Sequence, residues 1–162
     1  MGPFRLYEAA CARALWRLQQ SHMDQYSLEN TLWGVDVDKF SGFSGLHCAS
    51  LIGIVETVAG FVETEGCDIN KMDFSGSTPL YWAARNGNEG VKTLLGRDGV
   101  SPDKRDVNGE IPLHVAASSR REGVVRILRG QDVNLDKPNL NNQTPLFLAA
   151  MEGQEGVVKI LF

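Results

Sequence analysis

The residues best suited to catalysis or metal binding in this chain are a few histidines and cysteines. His47 and Cys48 are adjacent, and a thiol activated by an imidazole is a common nucleophile. On a helix, however, neighbouring residues point about 100° apart and do not face each other. The chain also lacks the CxxC and HExxH spacings that are typical of zinc sites. We therefore predict no catalytic residue, no metal and no cofactor, and hence no enzyme.

Binding to phosphate, nucleic acid or membrane is not favoured either. The segment 87–90 lacks the lysine of a phosphate-binding loop. Arginines cluster between 120 and 129 without interleaved aromatic residues, and the net charge is -4, so nucleic acid is not an expected partner. The longest uncharged run, 40–55, is too short to span a bilayer. Three scattered cysteines are typical of a reducing compartment, so we expect a soluble cytoplasmic protein, with the nucleus as the alternative.

The strongest pattern in the chain is an internal repeat. Leucines recur at steps of 34, 33 and 33 residues within SGLHCAS, TPLYWAA, IPLHVAA and TPLFLAA, at Leu46, Leu80, Leu113 and Leu146. Each motif is followed by a Gly or Arg, and three of them by the runs GVKTLL, GVVRIL and GVVKIL. The period and the motif resemble those of the ankyrin repeat. The resemblance implies an all-α ankyrin-repeat solenoid of helix-turn-helix units.

The motif also has a physical reading of its own. A threonine such as Thr78 can cap a helix, and the proline that follows it suits the first helical position. Paired alanines allow neighbouring helices to approach closely, and a glycine such as Gly87 suits the left-handed residue that ends a helix. Two repeat positions depart from the pattern. Ile111 replaces the capping threonine, so we expect Ile111→Thr to be stabilising, and Arg120 replaces the terminal glycine.

The two ends of the chain are expected to differ from the middle. Apolar residues at helical spacing predict an amphipathic helix over 5–20, and a second helix is expected over 24–33. We assign residues 1–37 to an N-terminal helical cap, a degenerate repeat, and residues 38–162 to about four ankyrin repeats, the last incomplete. The apolar segment 157–162 carries no polar cap. We expect either a fragment of a longer array, which we favour, or self-association through this end.

The resemblance implies a non-enzymatic protein–protein interaction module that is part of a larger protein. The loop over 96–113 is similar to ankyrin tails of fungal multidomain nucleotide-binding, receptor-like proteins. By resemblance, the residues of the turns and those before each terminal glycine face a concave groove. The predicted partner-binding residues are Phe40, Phe43, Leu51, Phe74, Ser77, Arg85, Asn86, Val107, Glu110, Leu140, Gln143 and Met151. Phe40 and Phe43 have an alternative place under the cap.

The rival hypothesis is an ankyrin-fold enzyme or small-molecule binder. Its pocket would lie between the N-terminal cap and the first repeats, and its candidate residues are His22, Trp33, Tyr81 and Trp82. A deep pocket would favour this reading and a shallow open groove would oppose it. The sequence names no partner protein under either hypothesis.

Overall fold

A computed structural model describes residues 44–87 and 89–162 of the chain. The predicted cap (1–37), together with Phe40, Phe43, His22 and Trp33, lies outside the described residues. Within these two ranges the secondary structure is eight helices and no strand. The helices are α1 (Gly45–Ile52), α2 (Val55–Val62), α3 (Pro79–Asn86), α4 (Gly90–Leu95), α5 (Pro112–Ser118), α6 (Glu122–Arg129), α7 (Pro145–Met151) and α8 (Glu155–Leu161).

The first helices of the second and fourth repeats begin as the motif predicts. The Thr78 hydroxyl accepts a hydrogen bond from the Tyr81 amide at 3.3 Å, and the Thr144 hydroxyl accepts one from the Phe147 amide at 3.2 Å. Each of these threonines is followed by proline at the first helical position. Threonine and proline together satisfy or remove amide donors that the helix itself leaves without partners.

The ends of the first helices are also as predicted. Gly53, Gly87 and Gly153 have φ values of 82°, 72° and 66°. In the third repeat Arg120 takes the same left-handed conformation, with φ 58°. A side chain at this angle is strained, because its Cβ crowds the backbone.

The helices stack in two layers. The first helices α1, α3, α5 and α7 pack side by side in chain order, and in the outer layer α2 packs on α4 and α6 packs on α8. The paired alanines lie between the first helices and are fully buried in the second and third repeats. The core is continuous along the stack, so each repeat is held mainly by its neighbours. The chain is therefore an all-α solenoid.

Ile111 is where the structure changes a prediction. Its side chain is 0% exposed and belongs to the core. The amide that a threonine would cap, that of His114, already donates to the Ile111 carbonyl at 2.9 Å. The position is therefore stabilised by apolar burial, and the expected gain from Ile111→Thr is not supported.

Candidate functional site

The turns that precede the first helices share one hydrogen-bonding frame. In the third repeat, the Asp106 carboxylate accepts from the amides of Asn108 (2.9 Å) and Glu110 (2.8 Å). The Asp106 amide donates in turn to the Glu110 carbonyl at 2.9 Å. Asp73 and Asn139 make the equivalent bonds in the second and fourth repeats. A short side-chain oxygen is therefore the element that shapes each turn.

Neighbouring turns are joined by their backbones. The Val107 amide donates to the Ser75 carbonyl, and the Leu140 amide donates to the Asn108 carbonyl, both at 2.9 Å. Gly76 and Gly109 have positive φ, and a Cβ on either would lie 3.0 Å from the next turn's amide nitrogen. The close approach of the turns therefore requires glycine at these two positions.

This ladder aligns three apolar side chains at the turn tips, which we call the tip row: Phe74, Val107 and Leu140. They are 64%, 61% and 71% exposed, respectively. Their alignment follows from the backbone bonds between turns, because each member occupies the same position in its own turn. An exposed apolar row on a rigid edge is typical of a contact surface.

A polar network lies beside the tip row. The Tyr81 hydroxyl donates to Glu110 Oε2 at 3.4 Å, and the Asn139 amide donates to Glu110 Oε1 at 3.5 Å. Asn139 also donates to Gln143 Oε1 at 3.2 Å. Burial, followed by the charge of Asp106, raises the pKa of Glu110. Burial and the Glu110 carboxylate raise the pKa of Tyr81, so Tyr81 serves as a donor at neutral pH.

The C-terminal ends of the first helices form the other edge of this face. Arg121 Nε donates to the Arg85 carbonyl at 3.0 Å, and Gln154 donates to the Ser118 carbonyl at 3.3 Å. The Asn86 amide likewise donates to the Leu51 carbonyl. Each bond satisfies a carbonyl that the preceding helix leaves open. The face between the turn tips and these helix ends is therefore tied together at both edges.

The matched family settles what this architecture is. The family described as ankyrin repeats (3 copies) matches residues 9–106 and 91–162, which is most of the chain. The chain belongs to the ankyrin-repeat family. Ankyrin repeats are in general protein–protein interaction domains without catalytic activity.

One curated relative shares part of these ankyrin repeats. A protein of Arabidopsis thaliana named "Probable protein S-acyltransferase 23" is 42% identical over 65 residues. The match covers 40% of this chain and 12% of that protein. The chain thus spans a small share of the length of this relative.

Most, but not all, of the described residues that were predicted to bind a partner are accessible. Asn86 and Met151 are exposed, and Arg85, Glu110 and Gln143 are half-buried. Leu51 and Ser77 are buried, at 7% and 3% exposure, so their prediction as surface contacts is not supported. Leu51 belongs to α1, the helix that packs on α3. The Ser77 hydroxyl and amide are bonded within their own turn to Ser75 and Asp73.

The two histidines of the described repeats have structural roles, as predicted. His47 Nε2 donates to the Ser77 carbonyl at 3.1 Å, and Nδ1 accepts from the Ser44 amide at 3.0 Å. His114 makes the equivalent bonds to the Gln143 carbonyl and the Ile111 amide. Each ring therefore fastens one repeat to the next. Burial lowers the pKa of both histidines.

The described candidates of the small-molecule hypothesis are also engaged within the repeats. Trp82 is buried, and its indole donates to the Asp73 carboxylate at 2.8 Å. Tyr81 is bonded to Glu110. The described residues contain no group of three or more His, Cys, Asp or Glu side chains placed to bind a metal. No helix within the described ranges has the length and apolar character to cross a bilayer.

Sequence reasoning missed Phe147 as a surface residue. It occupies the motif position of His114, which is fully buried, yet Phe147 is 51% exposed. Leu146 and Ala150 are also more accessible than their buried equivalents Leu113 and Ala117. The sequence offered one signal for this exposure. Phe147 belongs to the last of the described repeats, so no further repeat among the described residues packs on α7.

Proposed function

We propose that this protein is a non-enzymatic ankyrin module that binds a partner protein through the tip row and the adjoining first helices. The observation that carries the proposal is the alignment of Phe74, Val107 and Leu140 by backbone bonds between the turns. Such a row exposes apolar area without any cost of ordering flexible loops. The polar network around Glu110 lies next to it and supplies hydrogen-bonding groups for specificity.

The setting of the module is part of the same proposal. The match to 12% of a larger plant protein supports a repeat module within a larger protein. We propose a scaffold role in the cytoplasm, and a fungal receptor-like context rests only on the resemblance of the loop over 96–113. The groove residues proposed beyond the tip row are Arg85, Asn86, Glu110, Gln143 and Met151, with Phe40 and Phe43 retained from the sequence.

The test combines the double variant Phe74→Ala/Leu140→Ala with proximity labelling in the source cells. Exposed side chains contribute little to folding, so the free energy of unfolding should change by about 0.5 kcal/mol or less. Binding should weaken by about 2 kcal/mol or more, because apolar anchors dominate interfaces. Proteins labelled by the wild type should be lost from the labelled set of the double variant.

A matched control is Lys92→Ala/Arg126→Ala, which removes two exposed side chains from the outer helices α4 and α6, away from the tip row. It should leave the labelled set unchanged. Unaltered labelling by the double variant, with folding intact, would show that the partner surface lies elsewhere.

A further inference from the structure

Three arginines at the helix-end edge of the groove, Arg85, Arg120 and Arg121, form what we call the arginine cluster. The bond from Arg121 Nε to the Arg85 carbonyl brings two of them together across the repeats. Arg120 and Arg121 are exposed and Arg85 is half-buried. Three like charges are thus gathered at the end of one short groove.

The arginine cluster makes no salt bridge within the described residues. Among residues 44–87 and 89–162 the ion pairs are Lys92–Glu89, Arg97–Glu63 and Lys137–Asp103, and none of these involves the arginine cluster. The carboxylate of Glu110 lies near enough for Arg85 to lower its pKa, but burial and Asp106 raise that pKa more strongly. Glu110 itself is hydrogen-bonded to Tyr81 and Asn139.

Arg85 is held in place, although none of the ion pairs among residues 44–87 and 89–162 involves it. Its guanidinium carbon lies 5.4 Å from the centre of the Trp82 ring, within the range of a cation–π contact. Trp82 is itself fixed by its bond to Asp73. A guanidinium positioned in this way, and outside the ion pairs of the described residues, suits two-point recognition of a carboxylate.

We infer that the partner segment is acidic as well as apolar: its apolar side chains cover the tip row, and its carboxylates pair with the arginine cluster. This inference rests on the proposed function and names the chemistry of its partner. α3 separates the two surfaces. Arg85 lies in its last turn, about 9 Å along the helix axis from Pro79, and Phe74 lies five residues before Pro79. An extended segment needs at least about three residues to span the helical part of this separation.

A protein segment fits this face better than a phosphate polyanion does. The tip row lies on the same face and would stay uncovered by a purely ionic ligand. The chain also carries a net charge of -4, which disfavours the approach of nucleic acid or an anionic membrane.

The test is selection of a random peptide library displayed on phage against the folded protein. Selected peptides should be enriched in Asp and Glu spaced at least about three residues from Leu, Ile or Phe. Their binding should weaken with added salt. Arg85→Glu/Arg121→Glu should weaken it by about 10-fold or more, and Arg85→Gln/Arg121→Gln should have a smaller effect with folding retained.

The matched control is Arg126→Glu/Lys159→Glu, which makes the same change in net charge on the exposed faces of the outer helices. It should leave the affinity of the selected peptides within about twofold of the wild type. Peptides that need Phe74 and Leu140 but show no acidic enrichment would overturn this inference and leave the proposed function standing. Failure to select any peptide that depends on the tip row would count against both.

Discussion

The left-handed Arg120 is a local cost that a single substitution can remove. The left-handed conformation at φ 58° destabilises a residue that has a Cβ by about 1–2 kcal/mol. Glycine avoids this strain, but part of the gain is offset because glycine loses more backbone entropy on folding. We expect Arg120→Gly to raise the free energy of unfolding by about 0.5–1 kcal/mol, measured by urea denaturation. The control is Ser119→Gly, one residue away at φ -91°, which should not stabilise. Equal effects of the two variants would show that strain at Arg120 is negligible.

Ile111 tests whether capping or burial dominates at a helix start. Threonine removes two buried carbon atoms, worth roughly 1.6 kcal/mol, and its hydroxyl competes for a His114 amide that is already bonded. We expect Ile111→Thr to lower stability by about 1 kcal/mol. Ile111→Val, which has the same shape as threonine without the hydroxyl, should also lower it by about 1 kcal/mol. A threonine variant more stable than the wild type would show that the missing cap matters more than the core.

The buried histidines make stability depend on pH. Because the pKa of His47 and His114 is lowered in the folded state from the usual 6.5, the unfolded chain binds more protons at mildly acidic pH. The stability that the two neutral rings contribute is therefore fully present above about pH 6.5. It is lost as the pH falls below that value, by at most about 1.4 kcal/mol per pH unit for each ring.

Urea midpoints measured from about pH 7.5 to about pH 5.5 should show this loss. The variant His114→Gln should reduce the slope in that range. Glu110 acts in the opposite direction, because its pKa is raised in the folded state and stability from this group grows as the pH falls. Glu110→Gln should therefore steepen the acid loss. A pH-independent midpoint in the wild type would contradict the structural role of the two rings.

At the scale of the elements, each turn depends on one side-chain oxygen. Asp106→Ala removes the acceptor of two backbone amides, and we expect it to lower the free energy of unfolding by about 1–3 kcal/mol. Asp106→Asn should cost about 0.5 kcal/mol or less, because Asn139 builds the same frame in the fourth repeat. Thermal melting of both variants checks the comparison. Equal losses would show that the charge, rather than the oxygen geometry, holds the turn.

The elements are also where sequence reasoning was most accurate. Thr78, Thr144, Gly87 and the left-handed Arg120 act locally, so their types and spacing sufficed to predict where the helices start and end. Ser77 was predicted to be exposed, but its burial depends on the direction in which the turn folds, which residue spacing does not specify. Leu51 was also predicted to be a surface contact, yet it is buried. Spacing gives equivalent positions, but it does not give the exposure of each copy.

The contacts between repeats also differ in chemistry from one junction to another. In the first and third repeats a histidine bonds to a backbone carbonyl of the next turn, at Ser77 and Gln143. In the second repeat Tyr81 takes the histidine position and reaches the side chain of Glu110 instead. The connection is kept with different chemistry. It makes Glu110 part of both the interior of the stack and the groove surface, which the sequence pattern alone could not indicate.

On the scale of the whole molecule, the two edges of the groove differ in character. Backbone bonds between turns carry the apolar tip row, and side-chain bonds to helix ends carry the arginine cluster. Both sets of bonds cross from one repeat to the next. The same interactions therefore hold the repeats together and position the residues of the proposed binding surface. A change that loosens one junction is therefore expected to disturb the binding surface at that junction while distant repeats keep their structure.

The last described repeat leads to a prediction about association. Phe147, Met151 and Phe162 are 51%, 58% and 95% exposed, and Ala150 is exposed where its equivalent Ala117 is fully buried. Several exposed apolar side chains in one repeat favour contact with another surface. We expect the 162-residue chain to self-associate through this end, so that its apparent mass in sedimentation equilibrium rises with concentration.

Phe147→Asp/Phe162→Asp should shift the equilibrium towards monomer, because a charge buried at the interface is costly. Phe74→Asp, in the tip row, should leave it unchanged. A wild-type chain that stays monomeric at all concentrations would refute the prediction, and an effect of Phe74→Asp equal to that of the double variant would move the contact to the groove.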